Sequence, residues 1–298
     1  MNRAIMNPNY LIAFIFTGVL MSIISCQSAF EKEIESWRLE RINELKTPFS
    51  WPSTVGLYHV RNSMAYFGGR EGNDFMVPGN APSFGRIMDY DTAFYMIAHK
   101  SLRVQLDGES VGKVRMLTDQ EEGGPSVASW RNYQWYLIER GPKTFLRMQD
   151  SLSSYRLNLT SIPYFPIREK WKIDATFTPA DTTDRIEYEN ILDMKFNEAF
   201  AGYLSFQLKG KDYRLKVKED GASYFVIFSD ETTGLTTYGG GRYIYVDKAN
   251  KDGKTFIDFN KAINPPCVFT PYATCPLPAK ENHIDIEIVA GEKMMKLY

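Results

Sequence analysis

The chain has almost no net charge. Its 35 Lys and Arg stand against 36 Asp and Glu, a formal charge of −1, so no long-range field draws it to a polyanion. No basic cluster interleaved with aromatics occurs, and nucleic acid is not an expected partner. Histidine is scarce. With only His59, His99 and His283 available, few imidazoles can act as base or metal ligand. The spacing Cys267-x7-Cys275-x7-His283 is not a zinc signature, and no His-Glu-x-x-His occurs. No metal and no other cofactor is expected. There is no Gly-x-Ser-x-Gly elbow for a nucleophilic serine. Gly239-Gly240-Gly241 is glycine-rich, but it leads into a strand and lacks the Lys-Ser/Thr that a phosphate-cradling loop needs. Asp and Glu are scattered, and no spacing selects a carboxylate pair for glycoside hydrolysis. Internal repeats and low-complexity tracts are also missing.

Only one long apolar run is present. Residues 10–24 (YLIAFIFTGVLMSII) are uncharged and follow a polar start with one cation, Arg3. The run is shorter than the ~18–20 residues of a spanning helix, which suits the core of a signal peptide. It ends in Ile23-Ile24-Ser25-Cys26. This resembles a lipobox, the bacterial lipoprotein signal; the alternative is an uncleaved signal anchor. The resemblance implies diacylglycerol on the Cys26 thiol, with palmitate-like chains, and cleavage that makes Cys26 the new N-terminus. It places the protein in the bacterial cell envelope, held to the membrane by lipid and facing the periplasm. Gln27, in place of Asp, favours the outer membrane under enterobacteria-like sorting.

Aromatics reach 14%, a bias towards strands. Residues 28–46 read as an amphipathic helix with Ile34, Trp37, Ile42 and Leu45 near one face, stopped before Pro48. Its expected role is a spacer that packs one face on the domain behind it. Beyond it the fold class is mainly β. Residues 1–25 form the signal peptide, 26–50 the lipid-anchored spacer helix, 51–147 a β-sandwich and 160–298 an antiparallel β domain, barrel or sandwich. Residues 148–158 read as a linker. In the second β domain Lys209-Gly210-Lys211-Asp212 and Asn250-Lys251-Asp252-Gly253 mark two hairpins, the latter joining Arg242–Val246 to Thr255–Phe259. Tyr188–Met194 reads as a strand. So does His283–Val289, with Ile284, Ile286 and Ile288 inward against Asp285 and Glu287.

Several runs carry a family resemblance: Thr237-Tyr238-Gly239-Gly240-Gly241-Arg242-Tyr243, Asp258-Phe259-Asn260, the stretch Asn264-Pro265-Pro266-Cys267 through Cys275-Pro276-Leu277-Pro278, and Glu281-Asn282. They resemble domain-of-unknown-function family 1684, over most of the chain from about Trp37. That resemblance implies no activity, ligand or cofactor. In the first β domain, Phe67-Gly68-Gly69-Arg70, Asn73-Asp74 and Val77-Pro78 resemble forkhead-associated domains, which implies a sandwich that binds phosphothreonine through loops at one end. The sequence departs from that pattern where Arg86 follows Ser83 and where Asp107-Gly108 stands.

The stretch from Asn260 to Asn282 holds five prolines. Proline fixes φ and removes donors, so this is a stiff loop. It is long enough to be functional, or it plugs an open barrel end. Cys267 and Cys275 within it are a possible disulfide; two buried thiols, or a reactive thiol or metal site with His283, are the other readings. Asp258 and Asn260 share a strand face, and closure of the second hairpin would bring Arg242 near them. Candidate ligand-binding residues are Tyr238, Arg242, Asp258, Asn260, Asn264, Thr270 and Asn282; the weak catalytic candidates are Asp258, Cys267 and His283. The leading expectation is an envelope protein that binds a small ligand or envelope partner near the proline-rich loop. A hydrolase around Asp258, Asn260, Cys267 and His283 and a phosphopeptide-type module in the first β domain are the alternatives.

Overall fold

A computed structural model of the chain describes residues 28–79 and 81–295. The expected signal segment and Cys26 lie outside the described residues. The chain begins with a helix, Ala29–Lys46, closed by a reciprocal cap in which the Ser28 hydroxyl accepts from the Glu31 N–H and the Glu31 carboxylate accepts from the Ser28 N–H. Such a cap satisfies two of the four free N–H groups of a helix start. No described helix is long and apolar enough to cross a membrane.

The first β domain is a sandwich. One sheet orders Phe75–Met76, Met64–Gly68, Ser83–Asp89, Phe94–Ala98 and Lys113–Met116; the other orders Thr54–His59, Lys143–Asp150, Tyr133–Arg140, Ala128–Trp130, Gln105–Leu106 and Glu109–Ser110. Phe67, Phe84, Ile87 and Met96 from the first meet Trp135, Leu137, Leu146 and Met148 from the second. The Trp135 and Phe84 rings lie 4.8 Å apart. Burying side chains of this size contributes about 1.5–3 kcal/mol each. The strand Lys143–Asp150 runs past Arg147 into the expected linker. It has no period-2 signature because both faces are covered: Leu146 and Met148 point into the sandwich, while Phe145, Arg147 and Gln149 are also buried. Gln149 donates through Nε2 to the Phe49 carbonyl oxygen at 2.9 Å.

The second β domain is a nearly closed antiparallel barrel, in the order Arg242–Asp247, Ser223–Asp230, Lys211–Asp220, Gly202–Leu208, Lys172–Pro179 and Lys254–Asp258. Leu204, Leu215, Val226, Phe228, Ile244, Ile257 and Phe259 fill it. The first expected hairpin forms, with Lys209 and Gly210 at φ 51° and 78°, as a two-residue turn with both residues left-handed requires. The second does not form as a ladder. Arg242–Asp247 pairs with Ser223–Asp230 and Lys254–Asp258 pairs with Lys172–Pro179. These are the two edges of the sheet, and the Thr255 hydroxyl spans them by donating to the Asp247 carbonyl oxygen at 2.8 Å.

Two other expected strands differ. Of Tyr188–Met194 only Tyr188 and Glu189 are strand, and residues 190–194 turn between Ile186–Glu189 and Lys195–Glu198, because the Asn190 side chain accepts from the N–H groups of Leu192 and Met194. His283–Val289 keeps only His283–Ile284 as strand, parallel to Ser223–Asp230, although Ile284 and Ile288 are still buried.

The helix lies on the barrel domain. Leu45 packs with Leu159, Ile162, Val268 and Phe269. Arg38 donates to the Phe165 carbonyl oxygen at 2.9 Å, Arg41 meets Glu292 at 3.1 Å, and Glu33 meets Lys261 at 2.7 Å. The proline-rich loop fills the space between helix, sandwich and barrel.

Candidate functional site

The loop that fills this junction leaves a cavity of about 620 Å³ beside it. The helix contributes Trp37, Glu40, Arg41 and Glu44; Trp51 and Arg140 come from the sandwich side; the barrel gives Phe225, Tyr243 and Tyr245; the loop adds Asn264, Phe269, Thr274, Cys275 and Pro276. Every part of the fold thus supplies a wall. Each wall follows from local sequence. The helix turns Trp37, Glu40, Arg41 and Glu44 to one side through its i, i+3, i+4 spacing. Phe225 and Tyr243 meet edge to face, with centroids 5.0 Å apart. Tyr243 donates to the Pro276 carbonyl oxygen at 3.0 Å, and burial pushes its phenol well above the usual range.

The cations at the cavity are already paired. Arg41 meets Glu292, which is fully buried and also accepts from the Asn264 N–H at 2.6 Å. Burial raises the Glu292 carboxyl above its ordinary pKa despite Arg41 and the Asn264 N–H. Arg140 holds Asp119 at 2.6 Å and the Thr274 hydroxyl at 3.2 Å. Asn264 donates through Nδ2 to the Lys293 carbonyl oxygen at 2.9 Å, while its buried Oδ1 has no hydrogen-bond partner among the described residues. The cavity thus combines aromatic walls with cations that are already matched by carboxylates.

Most sequence-based candidates serve the fold instead. Arg242 is fully buried and pairs with Asp230 at 2.8 Å, not with Asp258, because its guanidinium is held by Asp230 and by the Ile288 carbonyl oxygen at 2.9 Å. Asp258 accepts from the Asn260 N–H at 3.0 Å and Nδ2 at 2.8 Å, and burial raises its carboxyl. Asn260 clasps the Arg168 N–H and carbonyl oxygen, both at 3.0 Å. Asn282 bonds Lys216 and Ile227 where the two neighbouring strands are not paired to each other. Tyr238 is half-buried against the loop. Thr270 donates to Thr54. Of the seven ligand-binding candidates, Asn264 lines the junction cavity.

The catalytic candidates are not brought together. Cys267 and Cys275 form a disulfide with Cα atoms 6.2 Å apart. His283 is exposed and contacts Ser229 Oγ at 3.0 Å and Glu231 at 3.2 Å. Among the described residues no group of His, Cys, Asp and Glu is gathered as a metal site requires. Trp37 belongs to the expected apolar face of the helix, the aromatic excess is the signal that covers Trp51 and Tyr245, and no sequence pattern singles out Arg41 or Arg140.

On the sandwich, away from the junction, Arg70, Ser83 and Arg86 line one depression of about 420 Å³ with Tyr66, His99 and Lys100. Arg86 donates to the Tyr66 hydroxyl at 3.3 Å, and its Nε has no partner among the described residues.

Residues 158–293 match the family model described as Protein of unknown function (DUF1684). The match begins well past Trp37, so the sandwich and the helix lie outside it. No curated protein matches the chain. Among solved structures it is similar to the solution NMR structure of an uncharacterized protein of Haloarcula marismortui, at 29% identity, covering 46% of this chain and 78% of that one, with a TM-score of 0.39.

Proposed function

We propose that this chain, whose residues 158–293 belong to the DUF1684 family of unknown function, is a binding protein that holds a small, uncharged, partly apolar ligand in the junction cavity. The observation that carries this reading is the cavity itself, about 620 Å³ with aromatic walls from helix, sandwich and barrel. Its cations are spent on Glu292 and Asp119, so an anionic ligand would have to displace a paired carboxylate, which costs more than it returns. Native mass spectrometry of the chain taken from its own envelope in mild detergent tests it. The expected result is an extra non-covalent mass of a few hundred daltons that is lost on denaturation and missing in Trp37→Ala and Tyr245→Ala. A protein of bare mass in every preparation would sink the reading.

The lipid anchor on Cys26 belongs to the same proposal, with the protein working at the envelope membrane. It is supported by the apolar run and the Ile-Ser-Cys ending. An intact mass that starts at Gln27 or earlier, with no diacylglycerol, would remove it.

A second reading, supported by the placing of Arg70, Ser83 and Arg86 around one depression, makes the sandwich a reader of phosphorylated or other anionic peptides. It expects a phosphothreonine peptide to bind more tightly than its unphosphorylated form and Arg70→Ala to erase the difference. Equal binding of the two peptides rejects it.

A further inference from the structure

A second cavity, of about 510 Å³, adjoins the first. Both are lined by Arg140, Thr274 and Pro276. Its lining includes Tyr188 and Phe196, whose rings stack 5.0 Å apart. The lining also includes Asn190, nearly fully buried, whose Oδ1 is taken by the turn it caps. So each cavity has aromatic surface and one asparagine in its wall, Asn264 and Asn190. Charge repeats in the same way. Lys218 pairs with Glu198 at the second cavity, as Arg41 and Arg140 are paired at the first.

We infer that the two cavities are one cleft for a chain molecule, a neutral oligosaccharide that crosses from Trp37, Trp51 and Tyr245 over Arg140 to Tyr188. The inference rests on the binding reading above and names its ligand class. Each volume alone takes a ligand of drug size, about 300–1,000 Å³, and the two end to end exceed that range. A pyranose ring has an apolar C–H face and a rim of hydroxyls. Repeated rings therefore ask for aromatic faces at intervals with polar groups between them. Here the groups between are Arg140 and Thr274, with Gln120 and Glu139 beside the second cavity. Glu40 and Glu44, exposed at the first, are acceptors suited to hydroxyl pairs. An anionic polymer would meet cations that are already matched by Glu292 and Asp119, and gains little.

The test is calorimetric titration of the full mature chain in mild detergent with neutral oligosaccharides of two and of six hexose units, with and without N-acetyl groups. The longer chain is expected to bind at least about tenfold more tightly. Tyr188→Ala and the exposed Gln120→Ala should each weaken the longer ligand roughly fivefold and leave the shorter unchanged, whereas Trp37→Ala weakens both. Tyr188→Phe keeps the ring and should bind as the parent does. Equal affinity for both lengths, with Trp37→Ala still weakening each, overturns the cleft and leaves the binding reading standing. No binding of either saccharide, or tighter binding of an uncharged hexapeptide, overturns the ligand class; the native mass measurement then decides the binding reading by itself.

Discussion

The Thr270 hydroxyl, in the proline-rich loop, donates to the Thr54 carbonyl oxygen at 2.8 Å, and both residues are fully buried. This single bond ties the loop of the barrel domain to the first strand of the sandwich. The loop is thus mortar between domains as well as a cavity wall. Thr270→Val keeps the shape and removes the donor. An unmatched buried carbonyl costs about 1–3 kcal/mol, and that loss is expected in urea unfolding. Thr270→Ser should recover most of it. An unchanged midpoint for Thr270→Val would show that the bond is not a fastening.

Glu292 supplies a pH signature. Burial raises its carboxyl in the folded chain, so the native state holds this proton more tightly than the unfolded chain does. That contribution is complete below the ordinary carboxylate value of about 4.3. It is lost as the pH rises through the raised folded value. Glu292→Gln cannot lose it. The stability of the parent should therefore fall relative to Glu292→Gln as the pH climbs through that window, with the gap constant above it. A parent that gains stability relative to Glu292→Gln as the pH rises contradicts the assignment.

Gly241 and Gly210 have the same φ, 78°, but different surroundings. A Cβ at Gly241 would stand 2.4 Å from Pro278 Cγ and 2.6 Å from the Phe228 carbonyl oxygen, whereas at Gly210 nothing lies within 4 Å. Gly210→Ala should cost about 1 kcal/mol for the left-handed backbone alone. Gly241→Ala adds the clash of loop against barrel and should cost roughly 3 kcal/mol or more. Thermal midpoints separate the two. Equal losses would mean that the loop yields at no cost.

The Cys267–Cys275 bridge closes a short loop, and in the chain-entropy account its removal costs about 2–3 kcal/mol. The double variant Cys267→Ala, Cys275→Ala should show that loss. It should also weaken ligand binding, since Cys275 lines the cavity. Thiol counting on the denatured, unreduced protein is expected to find neither cysteine free. Two titratable thiols from this pair would end the assignment.

How much of this was legible in the sequence depended on which faces each segment shows. The helix, the Lys209-Gly210 hairpin and the barrel strands with one wet face announced themselves by period and turn chemistry. Lys143–Asp150 did not, because a strand covered on both sides has no alternation. Tyr188–Met194 misled because Asn190 bonds to its own backbone two and four residues on, a competition that pattern reading does not weigh. Arg242, Asp258, Asn260 and Asn282 have the chemistry of a site, yet they are spent within the fold on Asp230, Arg168, Lys216 and Ile227. A polar residue marked out by type is as often a fastening as a contact. The cavity was illegible for a different reason. Its walls come from three parts of the chain whose relative placing no local rule fixes.

Arg41 and Glu292 are separated by nearly the whole polypeptide. The helix is made first, but it has nothing to rest on until the last barrel segment exists. Contacts so distant in sequence slow folding. The sandwich can close early on its own core, whereas the helix and the barrel's final segment must settle together and late. A chain cut short by a few tens of residues would keep a folded sandwich and leave an apolar helix face bare, a product suited to recognition by proteases and to aggregation.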